Sequence, residues 1–429
     1  MILRMAPPNA PMNQPRGSWL GPLVERPFRL LWIGQTGSAA GDALIPVAVA
    51  FAVLQVGGTA GDLGIVFAAF TAAHVVLVLA GGVWADRLPR QLVMVACDAV
   101  RAVAEVILAV LLLSGTAHVW HIAVGAAVIG AASAFFLPAS SGLIPQAVSP
   151  GRLQQANALM GLSRNATGIF GPPVSGLLIA LSKGTGVVFL VDSATFAISA
   201  VSLLMLRLAP VEARSEEPQR FFAELAAGWR EVASRPWIVA AICTFAVTNM
   251  AAAPFIILGP VVARDSLGGA AAWGLILTGG GIGGLIGGVL ALRFRPKRPL
   301  LVGFAISGAM SLPPLALIGP LPVLVIAAGT MLSWTAIQLS NTWWFTMLQQ
   351  HVPEHARSRV SSYDWLVSLV FQPLGFLLAG PLASRIGLTW TLLGAAVLGL
   401  AGNYGVLLVR SVREVRWVDD AAPAVSAAD

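Results

Sequence analysis

The stretch Gly81-Gly82-Val83-Trp84-Ala85-Asp86-Arg87-Leu88-Pro89-Arg90 is a short charged turn between two long apolar segments. The segment before it, from Leu63 to Val83, carries no charged side chain, and another apolar segment follows from Leu92 to about Leu113. A chain that leaves an apolar environment for so few residues is most simply a pair of membrane helices joined by a short loop. The stretch therefore predicts a membrane protein, with Asp86, Arg87 and Arg90 at the water surface.

The composition favours the same class and argues against several kinds of function. Of the 429 residues, 57% are hydrophobic and 10% are charged, whereas soluble domains carry about 25% charged residues. The net charge is +7, but the basic residues are scattered among loops, so no nucleic-acid partner is expected. Cys97 and Cys243 lie in apolar segments. We therefore expect no metal site, no cofactor and no enzymatic activity.

Twelve apolar segments are long enough to cross a bilayer, which takes about 20 residues. They are residues 28–54, 62–84, 91–113, 119–141, 155–181 and 185–207 in the first half, and 237–262, 270–292, 299–318, 321–346, 360–383 and 388–410 in the second. We number them helix 1 to helix 12. The predicted fold is an all-α membrane protein with twelve transmembrane helices in two six-helix, pseudo-symmetric halves.

One long charged interruption, from Ala209 to Arg235, separates the two halves. The predicted domains are an N-terminal tail 1–27, a first half 28–208, a linker 209–236, a second half 237–410 and a C-terminal tail 411–429. The halves also match in sequence, because Arg26-Pro27-Phe28 resembles Arg235-Pro236-Trp237, and Gly81 to Ala85 resembles Gly287 to Ala291. Ordered matches of this kind indicate two parallel repeats.

The basic residues predict the orientation in the membrane. If both termini are cytoplasmic, nearly all the basic loop residues lie inside, and the outer loops hold Lys183, Arg264 and Arg385. Cytoplasmic loops carry the excess of Lys and Arg in membrane proteins. We therefore expect a multi-pass protein with both termini and the linker in the cytoplasm.

The charged turn resembles the signature loop between helices 2 and 3 of the major facilitator superfamily of transporters. The family pattern is Gly-x-x-x-Asp-Arg-x-Gly-Arg, which here begins at Gly82 and has Pro89 where glycine is usual. The resemblance implies that Gly82, Asp86, Arg87 and Arg90 form a cytoplasmic latch between the halves. It places Asp86 near the positive N-terminal end of the helix that begins around Val360. Asp364, about one turn into that helix, is expected to pair with Arg87 or Arg90.

Other stretches resemble bacterial exporters such as the enterobactin exporter and macrolide efflux pumps. They include Gln35 to Asp42, Leu143-Ile144-Pro145, and Val352-Pro353-Glu354. In helix 5, the element formed by Gly171, Pro172 and Gly176 partly matches the Gly-Pro-x-x-Gly-Gly element of drug–proton antiporters, with Thr167 where an upstream glycine is usual. The arginine that many of these antiporters carry in helix 4 is missing, since residues 118–138 contain none. The resemblance implies export from the cytoplasm across a bacterial plasma membrane.

Ionisable residues inside the predicted spans concentrate in the first half. Such a residue costs about 3 kcal/mol on insertion scales, so each one needs a partner or a function. Asp98, Arg101 and Glu105 lie on one face of helix 3 because they are spaced by three and four residues. Two interpretations of Arg101 and Glu105 remain open, a proton relay or substrate anchor and a static salt bridge. For Asp98 the static salt bridge is favoured.

Asp42 is the strongest candidate for a carboxyl group that binds and releases a proton, because it lies deep in helix 1 without a counter-ion on its own helix. Arg164 in helix 5 is its expected partner across a central cavity. Asp192 in helix 6 is interpreted as a polar contact in the outer leaflet. On helix 10, Trp334 and Gln338 are expected to face the cavity.

These observations predict a secondary transporter that exports a hydrophobic or amphiphilic small molecule, such as a drug, an antibiotic or a siderophore. Proton antiport with alternating access is the expected mechanism, with a small-molecule substrate, protons and the lipid bilayer as partners and a monomer as the working unit. Two alternatives stay open. One is an importer of a small metabolite, either proton-coupled or facilitative, and the other is a membrane sensor that transports nothing.

Overall fold

The computed structural model describes residues 21–87, 89–207 and 228–418. All regular secondary structure in these residues is helical. Residues 1–20 and 419–429 of the predicted tails and residues 209–227 of the predicted linker lie outside the described residues. Ten of the described helices are long and apolar enough to cross a membrane. The predicted all-α membrane fold is therefore confirmed.

The helices of the first half follow the predicted order, and helix 1 is in two segments. Their bounds are Arg26–Asp42 and Ile45–Gln55 for helix 1, Ala60–Arg87 for helix 2, Arg90–Leu113 for helix 3, Val119–Ala147 for helix 4, Leu153–Ser182 for helix 5 and Gly186–Leu204 for helix 6. Helices 3 and 5, which contain 24 and 30 residues, are long enough to span but are not among those ten. Short 3₁₀ turns occupy Gly21–Val24 and Pro150–Arg152.

The second half repeats this arrangement with two interrupted helices. The bounds are Pro236–Val262 for helix 7, followed by a π-turn at Ala263–Leu267, Ala270–Ala291 for helix 8, Pro299–Ser307 and Leu312–Ala316 for helix 9, Val323–His351 for helix 10, Glu354–Val370 and Gln372–Ile386 for helix 11, and Leu388–Gly405 for helix 12. A 3₁₀ turn at Gly308–Ser311 joins the two segments of helix 9. Helix 12 is followed by a 3₁₀ turn at Val406–Leu408 and a short helix at Arg410–Glu414.

Proline explains the breaks that the sequence analysis did not predict. Helix 1, predicted as one continuous span, stops at Asp42 and resumes at Ile45. Pro46 has no N–H group, so the Asp42 carbonyl loses its usual donor four residues later. Helix 11 is interrupted at Phe371, two residues before Pro373. This helix also begins earlier than predicted.

The helices pack as two groups with two seams between them. In the first group helix 2 packs on helix 4, and helix 6 packs on helices 1 and 3. In the second group helix 8 packs on helix 10, and helix 7 packs on helices 11 and 12. The seams join helix 5 to helix 8 and helix 2 to helix 11. The polar face of helix 3 is therefore enclosed within the first group.

The two groups are in close contact at one end of the bundle and separate at the other. A methyl group built on Gly274, near the start of helix 8, would lie 3.0 Å from the Pro172 carbonyl carbon of helix 5. Seven residues further on, one built on Gly281 would lie 2.9 Å from the Gly168 carbonyl oxygen. Seven residues beyond that, one built on Gly288 would meet no atom within 4 Å. Because residues seven apart share a helix face, this series indicates that the seam opens toward the end of helix 8.

Candidate functional site

The polar face of helix 3 forms the centre of the candidate site. Asp98, Arg101 and Glu105 are 0%, 2% and 0% exposed, so the prediction that they share one face is borne out by their common burial. Helices 4 and 6 pack over this face. Three ionisable side chains are thus enclosed in a bundle whose surroundings are otherwise apolar.

Arg101 is held from several directions. Its guanidinium forms an ion pair with Asp98 on the same helix and lies 3.6 Å from the Asp42 carboxylate of helix 1. Its Cζ atom lies 4.3 Å from the ring centroid of Phe136 and 4.1 Å from that of Phe196. Cation–π contacts and ion pairs are strong where water is excluded. The guanidinium is therefore fixed in position between helices 1, 3, 4 and 6.

Asp42 differs from the other acids because it is open to space. Half of its side chain is exposed, whereas Asp98 and Glu105 are fully buried. It is also the last residue of the first segment of helix 1. Asp42 is therefore the accessible acid of the group, and its contact with Arg101 connects it to the buried cluster.

A second pair of acids lies behind this contact. Asp192 of helix 6 is 0% exposed, like Glu105, and the two carboxyl groups are within hydrogen-bonding reach of each other. The Oδ1 atom of Asp192 accepts a hydrogen bond of 3.1 Å from the Thr195 hydroxyl. Among the described residues, both carboxyl oxygens of Glu105 and the Oδ2 atom of Asp192 are buried without a hydrogen-bond donor.

Gly41 allows Asp192 to approach helix 1. A methyl group built on Gly41 would lie 2.9 Å from Asp192 Cγ, and closer still to its Oδ1. The missing side chain therefore brings the carboxyl group of helix 6 directly against the residue that precedes Asp42. Four carboxyl groups, those of Asp42, Asp98, Glu105 and Asp192, surround the single guanidinium of Arg101 in this described cluster.

Charge balance limits how many of these acids are ionised together. An unpaired charge inside a bilayer costs several kcal/mol, and one guanidinium neutralises one carboxylate. Adjacent carboxylates also repel strongly at low dielectric. The cluster therefore requires protons on some of its carboxyl groups, and it is chemically able to bind and release them.

The expected pairing of Asp42 with Arg164 is wrong. Asp42 pairs with Arg101, and Arg164 is exposed on helix 5. The reason is the rotation of helix 1, which turns Gly41 toward helix 6 and presents Ala43 to helix 5, where a methyl group on Gly171 would lie 2.4–2.8 Å from atoms of Ala43. Whether Arg164 has a role in proton coupling stays a prediction.

The helix 5 element packs against the break in helix 1 and against the second half. The Ser175 hydroxyl donates a hydrogen bond of 2.7 Å to the Leu44 carbonyl at the break. Gly171, Pro172 and Gly176 are buried, and a methyl group on Gly176 would lie 2.5 Å from the Ala270 carbonyl oxygen at the start of helix 8. This element therefore shapes the closed seam and contributes no ionisable group.

The predicted latch can be described only in part. The surroundings of Gly82 and the side chains of Asp86 and Arg87 are not described, and Arg90 donates a hydrogen bond of 3.1 Å to the Gly142 carbonyl. Asp364 accepts hydrogen bonds from Trp344 Nε1 at 2.9 Å and from the Ser368 hydroxyl at 3.3 Å. Because helix 11 begins at Glu354, Asp364 lies almost three turns into it rather than one.

The two cavity candidates on helix 10 face glycines of helix 8. A methyl group on Gly280 would lie 2.9 Å from Cδ1 of Trp334, and one on Gly287 would lie 2.8 Å from Cβ of Gln338. About half of the Trp334 surface is exposed, and Gln338 is partly buried. Their role in cargo binding stays a prediction.

Sequence reasoning missed four members of the site. Asp192 carried a usable signal, because an intramembrane acid needs a partner. Gly41 carried no signal of its own, because glycine is common in these apolar helices. Phe136 and Phe196 gave no signal, since aromatic residues are ordinary in apolar helices and only the fold brings their rings over Arg101.

Comparison with known proteins agrees with this geometry. The family model of the Major Facilitator Superfamily matches residues 31–370. The chain is 28% identical over 403 residues to the multidrug efflux pump Tap of Mycolicibacterium fortuitum, covering 90% of this chain and 96% of that protein. It is 22% identical over 403 residues to macrolide efflux protein A of Streptococcus pyogenes, covering 91% and 97%.

Solved structures show a similar fold. A bacterial homologue of the human lysosomal transporter Spinster, in an inward-facing and unoccupied conformation, superimposes with a TM-score of 0.72 at 14% identity and covers 94% of this chain and 100% of that one. At this identity the likeness concerns the fold alone.

Proposed function

The chain belongs to the major facilitator superfamily and is a multi-pass membrane transporter, and we propose that it exports a hydrophobic or amphiphilic small molecule by proton antiport. Two relatives that align along nearly their whole length are efflux proteins, one for multiple drugs and one for macrolides. Their names favour a drug or an antibiotic over a siderophore as the cargo class. The cargo enters the space between the halves and leaves when that space opens to the opposite side.

The proposed direction rests on the orientation of the bundle. Both termini lie in the cytoplasm, as the distribution of basic residues predicts. In that orientation the open end, where helix 8 finishes, faces the cytoplasm, and the closed seam at Gly274 and Pro172 faces outward. Cargo then has access from the cytoplasm or the inner leaflet, which suits an exporter.

The observation that carries the antiport proposal is the position of Asp42. It is open to the internal space and lies 3.6 Å from Arg101. A proton on Asp42 removes its charge and weakens its ion pair with Arg101, whereas Asp98 keeps the guanidinium in place. Protonation at the cavity wall thus changes the contact between helices 1 and 3, and this links a proton to the arrangement of the helices.

The test is transport of a radiolabelled macrolide in proteoliposomes with an imposed pH gradient. The wild-type protein should accumulate the macrolide against the direction of proton flow. Asp42→Asn should lose this accumulation and still bind the macrolide in detergent. The control is Asp265→Asn, which changes an exposed acid outside the cluster.

Three results would contradict the proposal. Unchanged accumulation in Asp42→Asn would remove Asp42 from the coupling. Equal flux of the wild type with and without a pH gradient would indicate facilitated diffusion. The absence of any macrolide flux, with the multidrug probe ethidium also unmoved, would remove drug export itself.

A further inference from the structure

We propose that the buried carboxyl groups of Glu105 and Asp192 share one proton and form a second proton-binding site, which exchanges its proton with Asp42. The inference rests on the proton antiport proposed above and deepens it, because it raises the number of protons coupled to each cargo. The pair joins helix 3 to helix 6 inside the first half.

The missing hydrogen-bond donor is the first observation. Both side chains are fully buried, and the two oxygens of Glu105 and Oδ2 of Asp192 lack a donor among the described residues. Two carboxyl groups that adjoin can form a hydrogen bond only if one of them carries a proton. A shared proton supplies the donor and removes one of the two negative charges.

The neighbouring charges are the second observation. The ionisable groups that act on the pair are Asp42 from helix 1 and Arg101 from helix 3. Helix 4, Val119–Ala147, contains no Asp, Glu, Lys or Arg. Among the described residues, Arg101 is the cation that acts on the pair, and it is already paired with Asp98 and Asp42.

A metal ion fits the pair less well than a proton. Within the part of the chain that the structure describes, no three His, Cys, Asp or Glu side chains converge as a metal site requires. Hard cations prefer six or more oxygen ligands, and the pair offers oxygens from only two side chains with apolar rings nearby. The shared proton requires no further ligand.

The position of the pair gives the proton a route. Glu105 lies one turn, about 6 Å, beyond Arg101 along helix 3, toward the end of the bundle where the seam is closed. The pair is sealed from solvent in this conformation, whereas Asp42 is open to the internal space. Asp192 abuts Gly41 and so reaches from the sealed pair to the residue beside Asp42.

The transfer step balances in charge. The O–H bond of the pair breaks, an O–H bond forms on the Asp42 carboxylate, and the pair gains the negative charge that Asp42 loses. The number of ionised carboxyl groups in the cluster is therefore the same before and after the step, and Arg101, released from the neutral Asp42, is the counter-charge that lies four residues from Glu105 on the same helix face. When the seam opens on the opposite side, a proton from that side restores the pair.

Steady-state accumulation measures the number of coupled protons. Each proton contributes a factor of about ten in cargo accumulation per pH unit, since one unit corresponds to about 1.4 kcal/mol. If the pair and Asp42 each supply one proton, Asp192→Asn and Glu105→Gln should each lower macrolide accumulation by about tenfold at a gradient of one pH unit. Asp265→Asn should leave it unchanged.

Infrared spectroscopy tests the shared proton without any transport. The purified wild-type protein at neutral pH should show the carbonyl stretch of a protonated carboxyl group, with the shift expected on exchange into ²H₂O. Asp192→Asn and Glu105→Gln should lose or shift this band, and Asp42→Asn should keep it. Loss of the band in the two pair variants, but not in Asp42→Asn, assigns the proton to the pair, and a wild type without the band refutes the inference even if a variant fails to fold.

The outcomes separate this inference from the proposed function. Loss of all gradient-driven flux in the wild type would refute antiport, and the infrared band would still decide whether the pair is protonated. The inference would be overturned if the wild type shows antiport and if macrolide accumulation in both pair variants depends on the pH gradient as it does in the wild type. A wild-type spectrum without the band, or a requirement for Na⁺ in place of the proton gradient, would also overturn it.

Discussion

Substitution of Gly41 by alanine tests whether close contact between helices 1 and 6 organises the cluster. The added methyl group would lie 2.9 Å from Asp192 Cγ, against the 3.4 Å at which ordinary contact begins, so Asp192 must move by at least about 0.5 Å. Because Gly41 and Asp192 are both buried, overpacking between them costs about 1–3 kcal/mol of folding free energy. Gly37→Ala is the matched control, because a methyl group there meets no atom within 4 Å.

The comparison between the two variants isolates the contact. Both gain the same helix-propensity benefit, about 0.5–1 kcal/mol for Gly to Ala, so they should differ by the overpacking cost alone. We expect Gly41→Ala to have a lower apparent melting temperature in detergent than Gly37→Ala, and to accumulate less macrolide in proteoliposomes. Equal melting temperatures and equal accumulation would show that Asp192 does not depend on its place against Gly41.

Two further predictions concern regions away from the cluster. A methyl group on Gly380 would lie 2.5 Å from Gly61 Cα, so Gly380→Ala should open the closed seam between helices 2 and 11. Labelling of a cysteine placed at Ala60 should then increase. Gly394→Ala is the control and should leave the labelling unchanged, because a methyl group there meets no atom within 4 Å. Partial burial would raise the pKa of Glu25, but hydrogen bonds from Ser149 and Arg152 outweigh it and hold the pKa below its ordinary range. The stability that ionised Glu25 contributes is present above about pH 4.3 and is lost as the pH falls through the lowered pKa of Glu25. Glu25→Gln should therefore lower the melting temperature at neutral pH, and the melting temperature of this variant should fall less steeply in acid than that of the wild type.

The parts of the fold that the sequence predicted well depend on local patterns. Apolar segments of spanning length marked the helices, because each helix must satisfy its own backbone hydrogen bonds in lipid. The common face of Asp98, Arg101 and Glu105 followed from helical spacing alone. The break in helix 1 was also readable from Pro46, but the continuous apolar run concealed it.

The pairing of side chains between helices could not be predicted in the same way. Whether Asp42 meets Arg101 or Arg164 depends on how helix 1 is rotated about its axis, and this rotation is set by packing against helices 3, 5 and 6. The proximity of Asp192 to Glu105 could not be predicted either, because the position of Asp192 along helix 6 does not show which residues of helix 3 it faces. Gly41 fixes the rotation, since only a residue without a side chain admits the carboxyl group of Asp192.

The fixed position of Arg101 determines what must move during the proposed cycle. A guanidinium enclosed by two aromatic rings and paired with a carboxylate on its own helix cannot follow each acid in turn without breaking several contacts. Charge compensation among the four carboxyl groups must then come from protons, which are small enough to pass between side chains that stay in place. Because Asp42 alone among these acids is open to the internal space, proton exchange with that space occurs there, and the sealed pair exchanges only after the opposite end opens. The cluster can therefore couple protons to cargo through the packing of helix 1, without requiring that the cargo touch Arg101.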